Sequence, residues 1–534
     1  MTEAIADLGP PIAPADPAAE ERVARDALGE VETLLEKRSA EATNKDVAEI
    51  LSAQSMIAAD PALWDKVAGA IRGGLPATHA VAEAFGSFRT LLEGAGGYMA
   101  ERAADLDDIQ ARVIATLTGS PMPGLPESSE PFVLVARDLA PADTAQLDAS
   151  VVIALVTREG GPTSHTAIIA RSLGIPAVVS CPGVSEVSDG EPIVVDGDRG
   201  VVVRSPDRAL LADVRRRAEW LAEAMRSSEG PGRTSDGHSV NLLANVGNAK
   251  EAKGAASDSE GVGLFRTEFL FLDRDREPSV DEQAQAYRAV FDAFGDRKVV
   301  IRTLDAGADK PLRWLDLGTE MNPALGVRGL RTARVHPDVL ERQLEAVALA
   351  AEGSGADVWV MAPMVSTAAE AEDFVTRARA HGLQRAGVMV EVPALALCAD
   401  EVAEVVDFFS IGTNDLTQYA MSSDRTAGAL SELLDHWQPA VIRLIGMVTE
   451  GAARASIPVG VCGESASDPS FALVLVGLGT TSLSMSVAGL PLVRASLAAH
   501  TLDECRELAE LALGADDAKG ARGAVAGAAH LPYS

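Results

Sequence analysis

Cysteine is scarce and scattered. The 534 residues contain four, Cys181, Cys398, Cys462 and Cys505, without a paired spacing, which argues against a disulfide framework and against a zinc cluster. Long apolar runs are missing too: no stretch approaches the roughly 20 residues of a membrane-spanning helix. The start, Met-Thr-Glu-Ala-Ile-Ala-Asp, has no basic region leading into an apolar core, so a cytoplasmic protein without membrane insertion is expected. Basic charge is in deficit, with 46 Lys and Arg against 78 Asp and Glu and a net charge of −32. Such a surface repels nucleic acid and anionic lipid, which leaves small molecules with a local basic pocket, or proteins with complementary patches, as partners.

The length exceeds one ordinary core, and two to four domains are expected. Residues 1–18, rich in Ala, Pro and Asp without periodicity, read as a flexible start. Residues 19–118 read as helical: Ala, Leu and Glu dominate and apolar residues recur three and four apart. Breaks at Asp60-Pro61 and Gly73-Gly74 suggest a four-helix bundle whose acidic faces are either solvated or a docking surface. Residues 119–205 change to short apolar strands, near 132, 151–156 and 177–179, with a two-stranded turn at Asp196 between 192 and 203, and form a small α/β domain. Residues 206–233 are a charged helix ending at Gly230-Pro231-Gly232, a linker between mobile parts or an ordinary surface helix.

From 234 to 514 strand and helix patterns alternate, with strands near 241–246, 261–268, 299–305, 326–331, 358–364, 388–392, 408–412 and 459–462. Eight even repeats favour a (β/α)8 TIM barrel over an open doubly wound sheet. The Ala- and Gly-rich residues 515–534 read as a frayed tail.

Two places carry chemistry. The first is Gly160-Gly-Pro-Thr-Ser-His165-Thr-Ala-Ile-Ile-Ala-Arg-Ser-Leu-Gly174. Its glycines permit a tight turn, Thr163 and Ser164 can cap a helix start, and Ala167, Ile168 and Leu173 supply the buried stripe. His165 sits where free amides and a dipole end favour an anion, which suits a phosphoryl-carrying nucleophile, although an exposed imidazole in a capping turn fits the same pattern. The second is the set of barrel strand ends, where such folds place their chemistry. Arg266, Arg302 and Arg328 converge there with Glu391, Asn414, Asp415, Arg425 and Cys462. Arginine forks suit phosphate and carboxylate oxygens, and neighbouring carboxylates suit Mg²⁺. For any one of these residues a structural salt bridge serves as well; the whole series points to a small, doubly anionic substrate. Cys462 reads either as a small buried hydrophobe or as a proton donor.

The histidine stretch resembles the phosphohistidine motif of the phosphoenolpyruvate-utilising enzymes. Gly261-Val-Gly-Leu-Phe-Arg-Thr-Glu268, Val390-Glu-Val-Pro393 and Asp407-Phe-Phe-Ser-Ile-Gly-Thr-Asn-Asp-Leu416 are similar to the enzyme I branch, which serves the bacterial sugar phosphotransferase system. The resemblance implies a helical HPr-binding bundle inserted in a swivelling phosphohistidine domain, then a barrel that binds phosphoenolpyruvate and forms a homodimer. It also implies roles: His165 takes the phosphoryl group and passes it to the histidine of HPr, and Cys462 protonates the enolate to give pyruvate. Arg266, Arg302, Asn414, Asp415 and Arg425 bind substrate, with Arg328 as a further contact, and Glu391 and Asp415 hold Mg²⁺. The dikinases of the family also need a nucleotide-binding domain of some hundreds of residues, for which these 534 residues leave no room. Two departures stand out. The family's opening Pro-Gly-Ile-Ala-x-Gly strand is here Gly9-Pro-Pro-Ile-Ala-Pro14, and the hydroxyl of its Asp-Leu-Thr-Pro-Ser segment is replaced at Ala140. A degenerate or shortened first strand and slower transfer are the expectations.

Overall fold

The computed structural model describes residues 8–41, 45–95, 103–120, 125–126, 128, 130–137, 139, 147–160, 166–167, 170, 173, 175–197, 200–227, 229–272, 274–307, 312–318, 320–425, 428–529 and 531. The chain divides into two compact units, Met1–Leu211 and Ala212–Ser534.

The first unit opens with helices Pro17–Glu41, Lys45–Ala58, Pro61–Arg72, Ala77–Ala95 and Ala103–Thr118. The punctuation at Asp60-Pro61 works as its chemistry dictates. The Asp60 carboxylate accepts from the Ala62 amide at 2.7 Å while Pro61, which lacks an amide hydrogen, takes the first helical position. The described helices number five, not the four expected, and they share one core built on Leu28, Val31, Leu35, Val67, Phe85, Ile109 and Val113. Residues 8–16 form no strand. Ala140 lies outside the described residues.

Next comes a parallel sheet of β1 (Phe132–Ala136), β2 (Val152–Thr157) and β3 (Ala177–Val178), in that order. Alternation in β1 divides its residues cleanly: Phe132, Leu134 and Ala136 join one apolar cluster, Val133 and Val135 the other. The antiparallel pair β4 (Ile193–Asp196) and β5 (Val201–Arg204) adds Val195 and Val202 to the second cluster. Thr166, Ala167, Ala170 and Leu173 are helical, and the Ile175 amide closes back on the Ala170 carbonyl at 3.0 Å, a wrap that ends a helix. Helix Arg208–Ser227 follows.

The second unit is a closed parallel barrel. Its strands run in order β6 (Asn241–Val246), β7 (Gly261–Arg266), β8 (Lys298–Arg302), β9 (Asp357–Ala362), β10 (Arg385–Val390), β11 (Phe409–Ile411), β12 (Val459–Val461) and β13 (Ser482–Met485), and β13 pairs with β6. Seven of the eight strands stand where the sequence places them. The expected strand at 326–331 does not exist: Gly329 has φ +60, outside the extended region, and Gly329–Arg334 turn as a 3-10 helix. The eighth strand is instead Ser482–Met485, whose Leu483 and Met485 join the outer core while Ser484 Oγ donates to Asn245 Oδ1 at 2.6 Å. The runs at 388, 408 and 459 are therefore the fifth, sixth and seventh strands of the barrel.

The expected frayed tail is likewise corrected. Asp517 caps helix Ala518–Ala528, which buries Ala518, Ala521 and Val525, and Ala529 and Leu531 are buried beyond it. Arg522 ties the helix down through Asp435 at 3.1 Å and lies 5.4 Å over the Trp437 ring. Small side chains at 518, 521 and 525 permit this close approach, so the composition that reads as low complexity is a packing surface.

Candidate active site at the strand ends

A parallel barrel turns all of its strand C-termini to one rim, so residues far apart in sequence meet there. Arg266 ends β7, Arg302 ends β8, and the two stand in register as neighbours. Glu391 follows β10, and Cys462 follows β12. Asn414 and Asp415 lie in the first turn of helix Thr413–Ala420 after β11, and Arg425 lies beyond that helix. Arg328 belongs to the long segment after β8. His165 lies outside the described residues; its described neighbours are Gly160, at φ +90, and the helical Thr166.

Ion pairs fix this rim. Arg302 Nη2 meets Glu268 Oε1 at 2.9 Å and Arg302 Nη1 meets Asp305 Oδ2 at 3.1 Å. Arg328, fully buried, forks onto Asp305 with its Nε and Nη2 at 3.0 and 3.1 Å. The same guanidinium reaches Asp415 at 3.2 and 3.0 Å and the Tyr419 hydroxyl at 3.3 Å. Five bonds engage all five N–H donors of Arg328, so it spans two carboxylates as a strut. Arg425, less buried, reaches Asp415 at 3.7 Å. Glu268 and Asp305 were not singled out from the sequence. Their signal was position, two and three residues after an arginine at a strand end, a spacing that serves structure as readily as chemistry.

Two donors have been left over. The Nε atoms of Arg266 and Arg302 are buried and hydrogen-bond to no described group. An unpaired buried donor is costly, and here two stand on adjacent strands beside the rim. Arg266 rests 5.4 Å over the ring of Phe269 and enters no ion pair among the described residues.

Glu391 is held from behind by the Met364 amide, 2.6 Å from its Oε1. Met364 has φ +59, rare for a residue with a side chain, and a Cβ on Gly329 would strike that side chain at 2.9 Å. Burial, and then the carboxylates of Asp305 and Asp415, push the Glu391 carboxyl up to about 8, against the pull of Arg302 and Arg328. Arg302 and Arg328 are both raised: burial works against their charge, but the carboxylates around them win. Asn414 Oδ1 accepts from the Glu464 amide at 3.0 Å. Cys462 is buried, and burial pushes its thiol up to about 11 although Ser410 and Arg302 pull it down. Gly463 after it must be glycine, since a Cβ would lie 2.0 Å from Thr413 Oγ1.

This fold and rim define a barrel enzyme that handles a small anion, preceded by a separate helical and α/β unit. Family models match most of the chain: residues 4–102 match the N-terminal domain of PEP-utilising enzymes, 128–200 their mobile domain, and 222–502 their PEP-binding domain. A phosphoenolpyruvate-protein phosphotransferase of Streptomyces coelicolor is 52% identical over 476 residues, covering 89% of this chain and 86% of that protein. Proteins of the same name from Haloferax volcanii and Bacillus subtilis are 43% and 38% identical, over 90% and 87% of this chain and 87% and 85% of theirs. The chain belongs to the phosphoenolpyruvate-protein phosphotransferases, the enzyme I branch of the PEP-utilising enzymes. No helix among the described residues is long and apolar enough to cross a membrane.

Proposed function

We propose that the chain takes the phosphoryl group of phosphoenolpyruvate onto His165, passes it to the histidine of HPr and releases pyruvate, as the first step of a sugar phosphotransferase system in the cytoplasm. The observation that carries this reading is the pair of buried Nε–H groups on Arg266 and Arg302 that find no partner among the described residues, set beside a carboxyl cluster at one barrel rim. Those donors, with Arg425 and the turn at Asn414 and Asp415, suit the oxygens of a phosphorylated carboxylic acid. In this reading Arg266 and Arg302 spread the charge of the departing phosphoryl group while neutral His165 attacks in line.

The enolate left behind is protonated by Cys462. A thiol held up to about 11 keeps its proton at neutral pH, which is the state an acid needs. No group of three or more candidate metal ligands gathers among the described residues, but Glu391 and Asp415 supply the oxygen donors that a hard cation with several retained waters takes. Burial first, and then Asp305 and Asp415, push Glu391 up to about 8, so ionising it calls for added positive charge. Glu391 and Asp415 would hold Mg²⁺, which when bound neutralises charge on the phosphoryl oxygens. Residues 19–118 are assigned to HPr docking, 119–205 to the phosphohistidine domain, 206–233 to a linker that lets His165 reach both partners, and 234 onward to the substrate-binding barrel, through which two copies pair as a homodimer.

The test is incubation with phosphate-labelled phosphoenolpyruvate and Mg²⁺, followed by HPr. Acid-labile label on His165 that moves to HPr is the expected result. Label that waits for a nucleotide refutes the acceptor, and no label at all refutes the transfer.

A further inference from the structure

Cys462 is held from two strands, β6 and β11. The carbonyl of Cys462 accepts from Asn245 Nδ2 at 3.1 Å, and Asn245 is itself fixed by Ser484. The thiol has its own partner. In β11, Phe409 and Ile411 join the outer core, while Ser410 between them turns into the barrel and donates from Oγ to Cys462 Sγ at 3.3 Å. Cys462 Sγ in turn lies 3.5 Å from the Ile411 carbonyl. Ser410 is buried, and its hydroxyl forms no other hydrogen bond among the described residues. A strand serine ordinarily satisfies itself on backbone or water; this one is spent on sulfur.

We propose that Ser410 is a positioning residue for enolate protonation, holding the Cys462 thiol and stabilising the thiolate that the step leaves behind. The inference rests on the reading of Cys462 as the acid. In the step the S–H bond breaks and its electron pair stays on sulfur. The π pair of the enolate forms the new C–H bond at its terminal carbon, and an oxygen pair closes the carbonyl of pyruvate. The thiolate then regains a proton from solvent. Burial makes that thiolate expensive, and Glu391 makes it more so; the Ser410 hydroxyl offsets this most, followed by the Arg302 guanidinium and the Cys462 backbone amide. Arg302 is shared with Glu268 and Asp305. Among the described residues the Ser410 hydroxyl bonds to sulfur alone.

The experiment compares Ser410→Ala, Ser410→Thr and Cys462→Ala in the complete chain. Losing a hydrogen bond to a buried anion is expected to slow first-turnover pyruvate formation roughly tenfold, with phosphoenolpyruvate affinity unchanged. Iodoacetamide alkylation of Cys462, followed by peptide mass spectrometry from about pH 8 to about 9.5, tracks the thiolate fraction and should also fall roughly tenfold in Ser410→Ala. The smaller side chain opens access and would by itself speed alkylation, so a fall reports proton affinity. Ser410→Thr keeps the hydroxyl, and it should return alkylation toward the original rate. Alkylation that does not fall in Ser410→Ala, or that falls equally in the threonine variant, overturns the proposal. Unchanged phosphoenolpyruvate affinity shows that the barrel is folded in each variant. If Cys462→Ala releases pyruvate at the original rate, the acid assignment itself fails; if Cys462→Ala is slow and Ser410→Ala is not, only the role of Ser410 fails.

Discussion

Arg328 separates two readings of the rim, a strut that builds the site and a contact that reads the substrate, and Arg328→Met distinguishes them. The guanidinium is fully buried and bonded to Asp305 and Asp415 on both of its edges. Removing one partner of a buried ion pair costs roughly 3–5 kcal/mol. Here Asp305 keeps Arg302 at 3.1 Å, while among the described cations Asp415 keeps the more exposed Arg425 at 3.7 Å, so the cost should fall at the lower end, about 3–4 kcal/mol. Unit Ala212–Ser534 has an unfolding entropy of roughly 0.7 kcal/mol per degree at the usual value per residue, so its Tm should drop by about 4–6 °C. Calorimetry without substrate measures this, following the transition of the barrel unit. Arg328→Met/Asp415→Asn should recover at least half of the loss, because the stranded charge is gone. A variant that melts like the parent yet no longer binds phosphoenolpyruvate would refute the strut and make Arg328 a substrate contact.

Three further outcomes follow from the placement of single residues. His165→Ala should accept no label yet bind phosphoenolpyruvate normally by calorimetry, because the proposed binding residues all lie in the barrel unit; lost binding would contradict that division. Cys462→Ala should still take a phosphoryl group back from phospho-HPr but form pyruvate about 10²-fold more slowly, read by single-turnover kinetics. Truncation after Asp516 should lower the barrel Tm, since it strips Ala518, Ala521, Val525 and Leu531 from the core at a cost of several kcal/mol; an unchanged Tm would return that segment to a loose tail.

The legible parts of this protein are those where one physical rule acts alone. Apolar runs of five or six residues bounded by helices marked β6 to β10, and the caps at Asp60 and Pro61 marked a helix boundary. The runs at β11 and β12 are only three residues long in the fold but stand inside longer apolar text. The sequence misleads where two rules compete. Gly326 to Arg331 looks apolar enough for a strand, but Gly329 sits in the left-handed region so that Arg328 can turn inward to Asp305 and Asp415. Ser482 and Ser484 hide the eighth strand because its inward face meets polar partners such as Asn245, so the usual contrast of apolar core and polar surface is absent. At the rim, the arginines were visible as charges at strand ends, but Glu268 and Asp305 acquire their meaning only from distances of about 3 Å that closure of the barrel creates.

Glu391 carries the last test, because its proton links stability to the proposed cation. The carboxyl stands near 4.5 in the unfolded chain and about 8 in the fold. Between those limits the folded chain keeps a proton that the unfolded chain has released, so this group makes stability fall as pH rises, by up to about 1.4 kcal/mol per pH unit. A dication beside Glu391 and Asp415 reverses the preference and must displace the proton. At about pH 7, Mg²⁺ binding should therefore release close to one proton, measured by titration calorimetry in buffers of different ionisation enthalpy. The gain in Tm from Mg²⁺ should grow between about pH 6 and about pH 8 up to the point where Glu391 is already ionised. Glu391→Gln should abolish proton release and flatten the pH dependence of the ligand-free Tm. Mg²⁺ that binds without releasing a proton would show that Glu391 is ionised in the free protein, and then the rim arginines, Arg302, Arg328 and Arg425, must be balancing the carboxylates.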